Sequence, residues 1–159
     1  MNVIRPYLDY VDRTVPARMV VIGAYQEIPP EVYVDHLRKA GESWHFLVPK
    51  RGEIVRCLPL TSTGFYCGRS DGPDGQHVND YSFGVCVEGF DGDGAAHRMP
   101  LSQRQALYEL ISYLRYYDGG CPWIGMAWDV TRGMGPKSFP LNLTVLQRDL
   151  GYTIWRKGR

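Results

Sequence analysis

The side chains able to carry hydrolytic or redox chemistry are few and scattered: four histidines, His36, His45, His77 and His97, and four cysteines, Cys57, Cys67, Cys86 and Cys121. A catalytic zinc draws three ligands from His, Cys, Asp and Glu and keeps a fourth position for a water whose pKa it lowers to about 7. No C-x-x-C pair occurs, and no histidine has another at metal spacing. Cys67 and Cys86 have no evident base in sequence, so the thiols read as reduced and buried rather than nucleophilic. Asp91-Gly92-Asp93-Gly94 offers oxygen ligands, but the twelve-residue pattern of an EF-hand loop is missing, and a solvated turn is the expectation.

The chain has 159 residues, 44% of them hydrophobic, which suits one domain with one core. Lysine and arginine number 18 against 17 acidic residues, so no general field favours nucleic acid or an anionic membrane. Arg156, Lys157 and Arg159 form a basic tail that is expected to be solvated. No apolar run approaches the ~20 residues needed to cross a bilayer. The first twelve residues, interrupted by Arg5, Pro6, Asp9 and Asp12, do not read as a secretory signal. The expectation is a protein made in a cytoplasm, whose access to a cell wall would require lysis, a carrier or a virion.

Met19 to Ala24 is an apolar, β-branched run with the look of a strand covered on both faces. After Pro29-Pro30, residues from Val32 to Ala40 predict a short helix ended by Gly41. Trp44 to Pro49 and Glu53 to Leu58 predict antiparallel neighbours joined at Lys50-Arg51-Gly52. Leu60 to Tyr81 reads as loop, and Ser82 to Gly89 as another buried strand. Ser102-Gln103-Arg104-Gln105 suggests a capping box opening a helix whose Leu107, Leu110, Ile111 and Leu114 share one face. Trp123 to Trp128 predicts a strand and Leu141 to Leu150 a closing helix. The order β-α-β-β-β-α-β-α implies an α/β fold, with a central mixed sheet flanked by helices.

Three patches, taken in order, carry a family resemblance. Trp44-His45-Phe46-Leu47-Val48 precedes Arg51-Gly52-Glu53-Ile54-Val55. A stretch from Gly68 through Asn79 leads to Ser82-Phe83-Gly84-Val85-Cys86-Val87-Glu88-Gly89. Leu101-Ser102 to Leu114 is then followed by Ile124 to Pro140. Together they resemble the phage lysozyme-type zinc amidases and the peptidoglycan recognition proteins, which cut or bind at the bond between N-acetylmuramic acid and L-alanine. The resemblance implies a single amidase-like domain over residues 18–150, an N-terminal extension of residues 1–17 and a basic tail of residues 151–159.

The same resemblance places Gly23, Ala127 and Phe139 (or its neighbour Ser138) at the three zinc-ligand positions. None of them supplies a strong ligand, so zinc is expected to be absent. Trp44 stands where the family has a catalytic Tyr or Glu, and an indole donates but cannot act as a base. Tyr66 corresponds to a groove histidine, Lys137 matches a lysine beside the third ligand, and His36 and His45 fall on nonligand positions. Tyr25, Trp44, Tyr66, Asn79, Trp128, Arg132 and Lys137 are implied on the groove rim, where they either bind a ligand or, for Trp44 and Trp128, fill the space left by the metal. Three functions stay open. One is an inactive fold that binds a protein partner, such as a phage RNA polymerase or a virion component, with Met1–Pro16 and Leu150–Arg159 either as docking arms or packed back on the domain. Another is a non-hydrolytic muropeptide binder. The last is an active amidase with ligands elsewhere, which is disfavoured because no histidine lies between His97 and Arg159.

Overall fold

A computed structural model describes residues 1–89, 99–135 and 139–158. In chain order the strands are β1 (Asn2–Val3), β2 (Val11–Asp12), β3 (Met19–Tyr25), β4 (Phe46–Val48), β5 (Val55–Arg56), β6 (Ser62–Thr63), β7 (Asp71–Gly72), β8 (Gly75–Gln76), β9 (Ser82–Glu88), β10 (Trp123–Met126) and β11 (Thr153–Trp155). The helices are α1 (Pro30–Ala40), α2 (Leu101–Tyr116), α3 (Ala127–Val130) and α4 (Leu143–Leu150). Seven strands form one mixed sheet in the order β1-β5-β4-β9-β3-β10-β11. The five from β4 to β11 in that order are parallel, and β5 is antiparallel to β4.

The apolar runs of β3 and β9 follow from their central place, because a parallel strand with helices on both sides has no solvent face. Val20, Ile22, Phe83, Val85, Val87, Ile124 and Met126 point to one side, against Leu107, Leu110, Ile111 and Leu114 of α2 and Leu143 and Leu146 of α4. Met19, Val21, Leu47 and Cys86 point to the other, under Val34 and Leu37 of α1. Pro30 opens α1, where its missing N–H costs nothing, and Gly41 closes the helix at φ 67.

Several local expectations are corrected. The capping box does not form: α2 starts at Leu101 behind Pro100, with no side-chain cap. The Ser102 hydroxyl reaches the Lys50 carbonyl instead, at 3.4 Å. The strand expected over Trp123 to Trp128 stops at Met126, where the backbone turns into α3 and the Thr131 N–H bonds the Ala127 carbonyl. The closing helix begins at Leu143, because the Asn142 side chain caps the Thr144 N–H at 3.0 Å. Between Leu60 and Tyr81 the chain carries the short strands β6 to β8 and a 3-10 turn over Val78–Tyr81.

The two chain ends also fold back. β1 pairs with β5, and β11 adds in parallel beside β10. Tyr152 is buried and donates its hydroxyl to the Ile111 carbonyl. Of the two expectations for these stretches, docking arms or packing back on the domain, the structure shows the second, with two strands contributed to the main sheet. The Asp91–Gly94 turn, His97 and Arg159 lie outside the described residues.

Gln103 ties these layers together. It is fully buried on α2, and its Nε2 donates to the carbonyls of Val48 and Glu88, each at 3.0 Å, bridging the ends of β4 and β9. Gln103→Leu leaves two buried carbonyls unpaired, which costs about 1–3 kcal/mol. Urea unfolding checks this; an unchanged midpoint would show that the amide does not hold the helix to the sheet.

Candidate functional site

Ligands of open parallel sheets bind beyond the carboxyl ends of the strands. At those ends Gly23 pairs with Cys86, and Met126 pairs with Ile22, which sets Ala127 beside Gly23. The structure therefore brings together two of the positions singled out from the sequence, on the sheet face that α1 covers.

The indole of Trp44 lies on that face. A Cβ added to Gly23 would stand 2.9 Å from Trp44 Cζ2 and 3.1 Å from Cζ3, and closer still to Cη2. On Gly84 it would meet Trp44 Cε3 at 2.9 Å and Tyr66 Cε1 at 2.7 Å. The two glycines form a floor that only a residue without a side chain provides, the use of glycine in a strand where another group approaches closely. Trp44 stacks on Tyr66 with centroids 4.8 Å apart, and Tyr25 stacks on Tyr33 at 4.1 Å. The Tyr33 hydroxyl joins these pairs: it faces the Trp44 indole N–H and lies 3.7 Å from the Cys86 sulfur. Burial pushes the phenols of Tyr25 and Tyr33 far above their ordinary range, so both are neutral. Tyr33 and Gly84 were not singled out from the sequence. A tyrosine next to Val34 on the buried face of α1, and a glycine inside a β-branched strand, were the available signals.

Other candidates have structural partners. The Tyr66 hydroxyl bonds Ser82 Oγ, which donates to the Val78 carbonyl. Asn79 accepts from the Cys67 N–H at 3.0 Å, holding the loop before β9. Arg132 makes a bidentate pair with Asp71, both bonds at 2.7 Å, and these hydrogen bonds hold the Asp71 carboxyl below its usual range. Trp128 is buried on α3 with its ring 6.2 Å from that of Phe139. Tyr25, Trp44 and Trp128 are 3%, 7% and 8% exposed, so the structure places them in the packed interior rather than on a rim. Lys137 and Ser138 lie outside the described residues.

The donor set does not fit zinc. Gly23 has no side chain, Ala127 offers a methyl and Phe139 a ring. The indole also fills the volume that a side chain at 23 would need. Among the described residues no group of three His, Cys, Asp or Glu side chains can hold a metal ion.

The histidine and thiols nearby are structural. His45 is fully buried, donates from Nε2 to the Ser62 carbonyl at 2.8 Å and accepts the Gly84 N–H on Nδ1 at 3.0 Å. Burial lowers its pKa to about 3, and a neutral ring is the form that can make both bonds. All four cysteines are buried and unpaired, and burial raises the thiols of Cys57 and Cys121 to about 12. None is a nucleophile at neutral pH.

Two measurements check this geometry. Gly23→Ala should cost about 1–3 kcal/mol through overpacking. In a Trp44→Ala background the same change should be neutral or favourable, since alanine suits a strand better than glycine. Equal costs in the two backgrounds would clear the indole of responsibility. For His45, the folded pKa lies below the unfolded one, so the unfolded chain binds the extra proton first as pH falls. His45-linked stability is complete above about pH 6.5 and is lost progressively towards pH 3. Urea titrations from pH 4 to 7 should therefore show a steeper acid loss for the native chain than for His45→Asn.

The fold has close structural counterparts. LysC, an N-acetylmuramoyl-L-alanine amidase from Clostridium intestinale, superposes with a TM-score of 0.70 at 18% identity, covering 96% of this chain and 99% of its own. AmpDh3 from Pseudomonas aeruginosa, solved in complex with an anhydromuramic pentapeptide, gives 0.70 at 18% identity over 94% of this chain and 63% of that one. The Drosophila peptidoglycan recognition protein SA gives 0.66 at 16% identity over 94% and 88%. A search of curated protein sequences returns no match. The sequence profile of the N-acetylmuramoyl-L-alanine amidases matches residues 15–122, more than half of the chain, and supports a peptidoglycan-related function. With that profile match over more than half of its length, the chain belongs to the N-acetylmuramoyl-L-alanine amidase family.

Proposed function

We propose that this chain is a catalytically inactive family member that uses no zinc and acts as a binding or regulatory module for a protein partner, of the kind a phage RNA polymerase or a virion component represents. One observation carries the reading: the Trp44 indole occupies the space above Gly23, where the family resemblance puts a metal-binding imidazole. Amide hydrolysis at neutral pH needs an activated water and stabilisation of the developing oxyanion. Gly23, Ala127 and Trp44 supply neither a metal ligand nor a base. Burial of Tyr25, Trp44 and Trp128 also takes three aromatics away from any small ligand.

A second reading, a non-hydrolytic muropeptide binder, is favoured by the structural neighbour solved with an anhydromuramic pentapeptide. Half-buried Tyr66 and Asn79 and exposed Arg132 would then contact the ligand.

Elemental analysis and zinc calorimetry test the first reading. The purified protein should contain no stoichiometric zinc and should not clear a peptidoglycan suspension in a chelator-sensitive way. Gly23→His/Ala127→His/Phe139→Cys should take up zinc only when Trp44→Tyr is added. Tight zinc in the native chain, with clearing that a chelator stops, would overturn the proposal. Calorimetric binding of an anhydromuramyl peptide without product release would select the second reading.

A further inference from the structure

Glu109, Ser112, Tyr113 and Tyr116 recur at intervals of three, one and three residues along α2, which places them on one helix face. With Tyr117 and Asp118 of the following turn they line a surface cleft of about 560 Å³. Tyr113 is 55% exposed and Tyr116 70%, although the opposite face of the same helix is packed into the core. Tyr113 and Tyr117 have ring centroids 5.7 Å apart, and the back of Tyr117 rests edge-on against Phe83 at 5.8 Å. The ring wall is thus anchored in the core on one side and open to solvent on the other. A second hollow of about 200 Å³ shares Tyr117 and Asp118 and extends the surface to Val15 and Leu60.

Among the described residues neither Glu109 nor Asp118 makes an ion pair. Arg13 and Arg115 are engaged elsewhere. Arg13 gives its N–H groups to the Ser62 carbonyl and lies 4.3 Å from the Phe83 ring centre, feeling Asp118 only through space. Arg115 donates to the Gly151 carbonyl and covers one face of Tyr116 at 5.2 Å, which shows that this ring accepts a guanidinium.

We propose that this cleft docks a basic side chain, arginine in preference to lysine, presented by a protein partner; this rests on the binding-module reading above. Electron-rich ring faces attract a cation, a guanidinium stacks flat on tyrosine, and a carboxylate takes two of its N–H groups at once. Tyrosine is also enriched at the energetic centres of protein interfaces. The Val15 and Leu60 hollow would take apolar residues adjoining the arginine.

The test is a ¹⁵N chemical-shift titration of the full chain with acetyl-Gly-Arg-Gly-amide, set against its citrulline counterpart and against chitotriose. Saturable shifts should centre on Glu109, Tyr113, Tyr116 and Tyr117, and citrulline should bind about threefold to tenfold more weakly. Glu109→Gln and Tyr113→Ala, both at exposed positions, should each weaken the arginine peptide while leaving the circular dichroism spectrum unchanged. Equal binding of citrulline, shifts outside this face, or tighter saturation by chitotriose would overturn the proposal; the last would mark the face as a sugar platform. This titration reads only the outer face of α2, whereas zinc uptake and hydrolysis read the strand ends, so the two proposals fail separately.

Discussion

The candidate site depends on one contact, the flat packing of the Trp44 indole on the bare backbone at Gly23 and Gly84. The absence of side chains at these two positions in adjacent strands lets the ring lie on the sheet itself. Burying a side chain of this size contributes on the order of 5 kcal/mol. Its neighbours fix it from every side. Tyr66 stacks on it, Ser82 holds Tyr66, and Tyr33 faces the indole N–H while stacking on Tyr25. Even His45, next in sequence, is recruited to this layer, since it accepts the amide of Gly84 and so holds the floor in place. A position at the strand ends that suits polar chemistry is occupied here by a neutral network of stacked, hydrogen-bonded rings.

Much of this architecture was legible from residue pattern. The runs at Met19–Ala24 and Ser82–Gly89 read as doubly covered strands because a parallel centre leaves no polar face. Leu107, Leu110, Ile111 and Leu114 read as the buried stripe of α2. The errors have particular causes. Ser102 was expected to cap α2, but Pro100 already imposes the extended backbone that precedes a helix, and the serine serves the Lys50 carbonyl instead. Trp123 to Trp128 looked like one strand because alternation cannot reveal a chain that turns after Met126. The terminal strands β1 and β11 were missed because two- and three-residue strands carry little periodic signal, although Thr153-Ile154-Trp155 has the β-branched and aromatic composition that favours one.

For the site, residue type was legible and burial was not. That Gly23, Ala127 and Phe139 lack ligand atoms follows from their chemistry alone. Whether Tyr25 and Trp44 face a ligand or fill the interior depends on how α1 packs over their face of the sheet, and for Trp128 on the turn of the chain into α3. The answer rests on ring partners set by the turns between them, Tyr33 for Tyr25 and Phe139 for Trp128, which strand or helix periodicity does not encode.

The packing also explains why such a site persists once formed. Any side chain placed at Gly23 while Trp44 is present meets the indole below van der Waals distance. Truncating Trp44 while Gly23 is unchanged leaves a cavity above two glycines, and losses of this kind run to about 3–5 kcal/mol. Against a total stability of about 5–15 kcal/mol, either single step removes a large part of what keeps the domain folded. Only a change at both positions avoids the clash and the cavity together, and a third would still be needed at Ala127 to supply a second donor. Two glycines and one tryptophan therefore hold one another in place, and any stepwise route to a polar centre here crosses states that the fold itself disfavours.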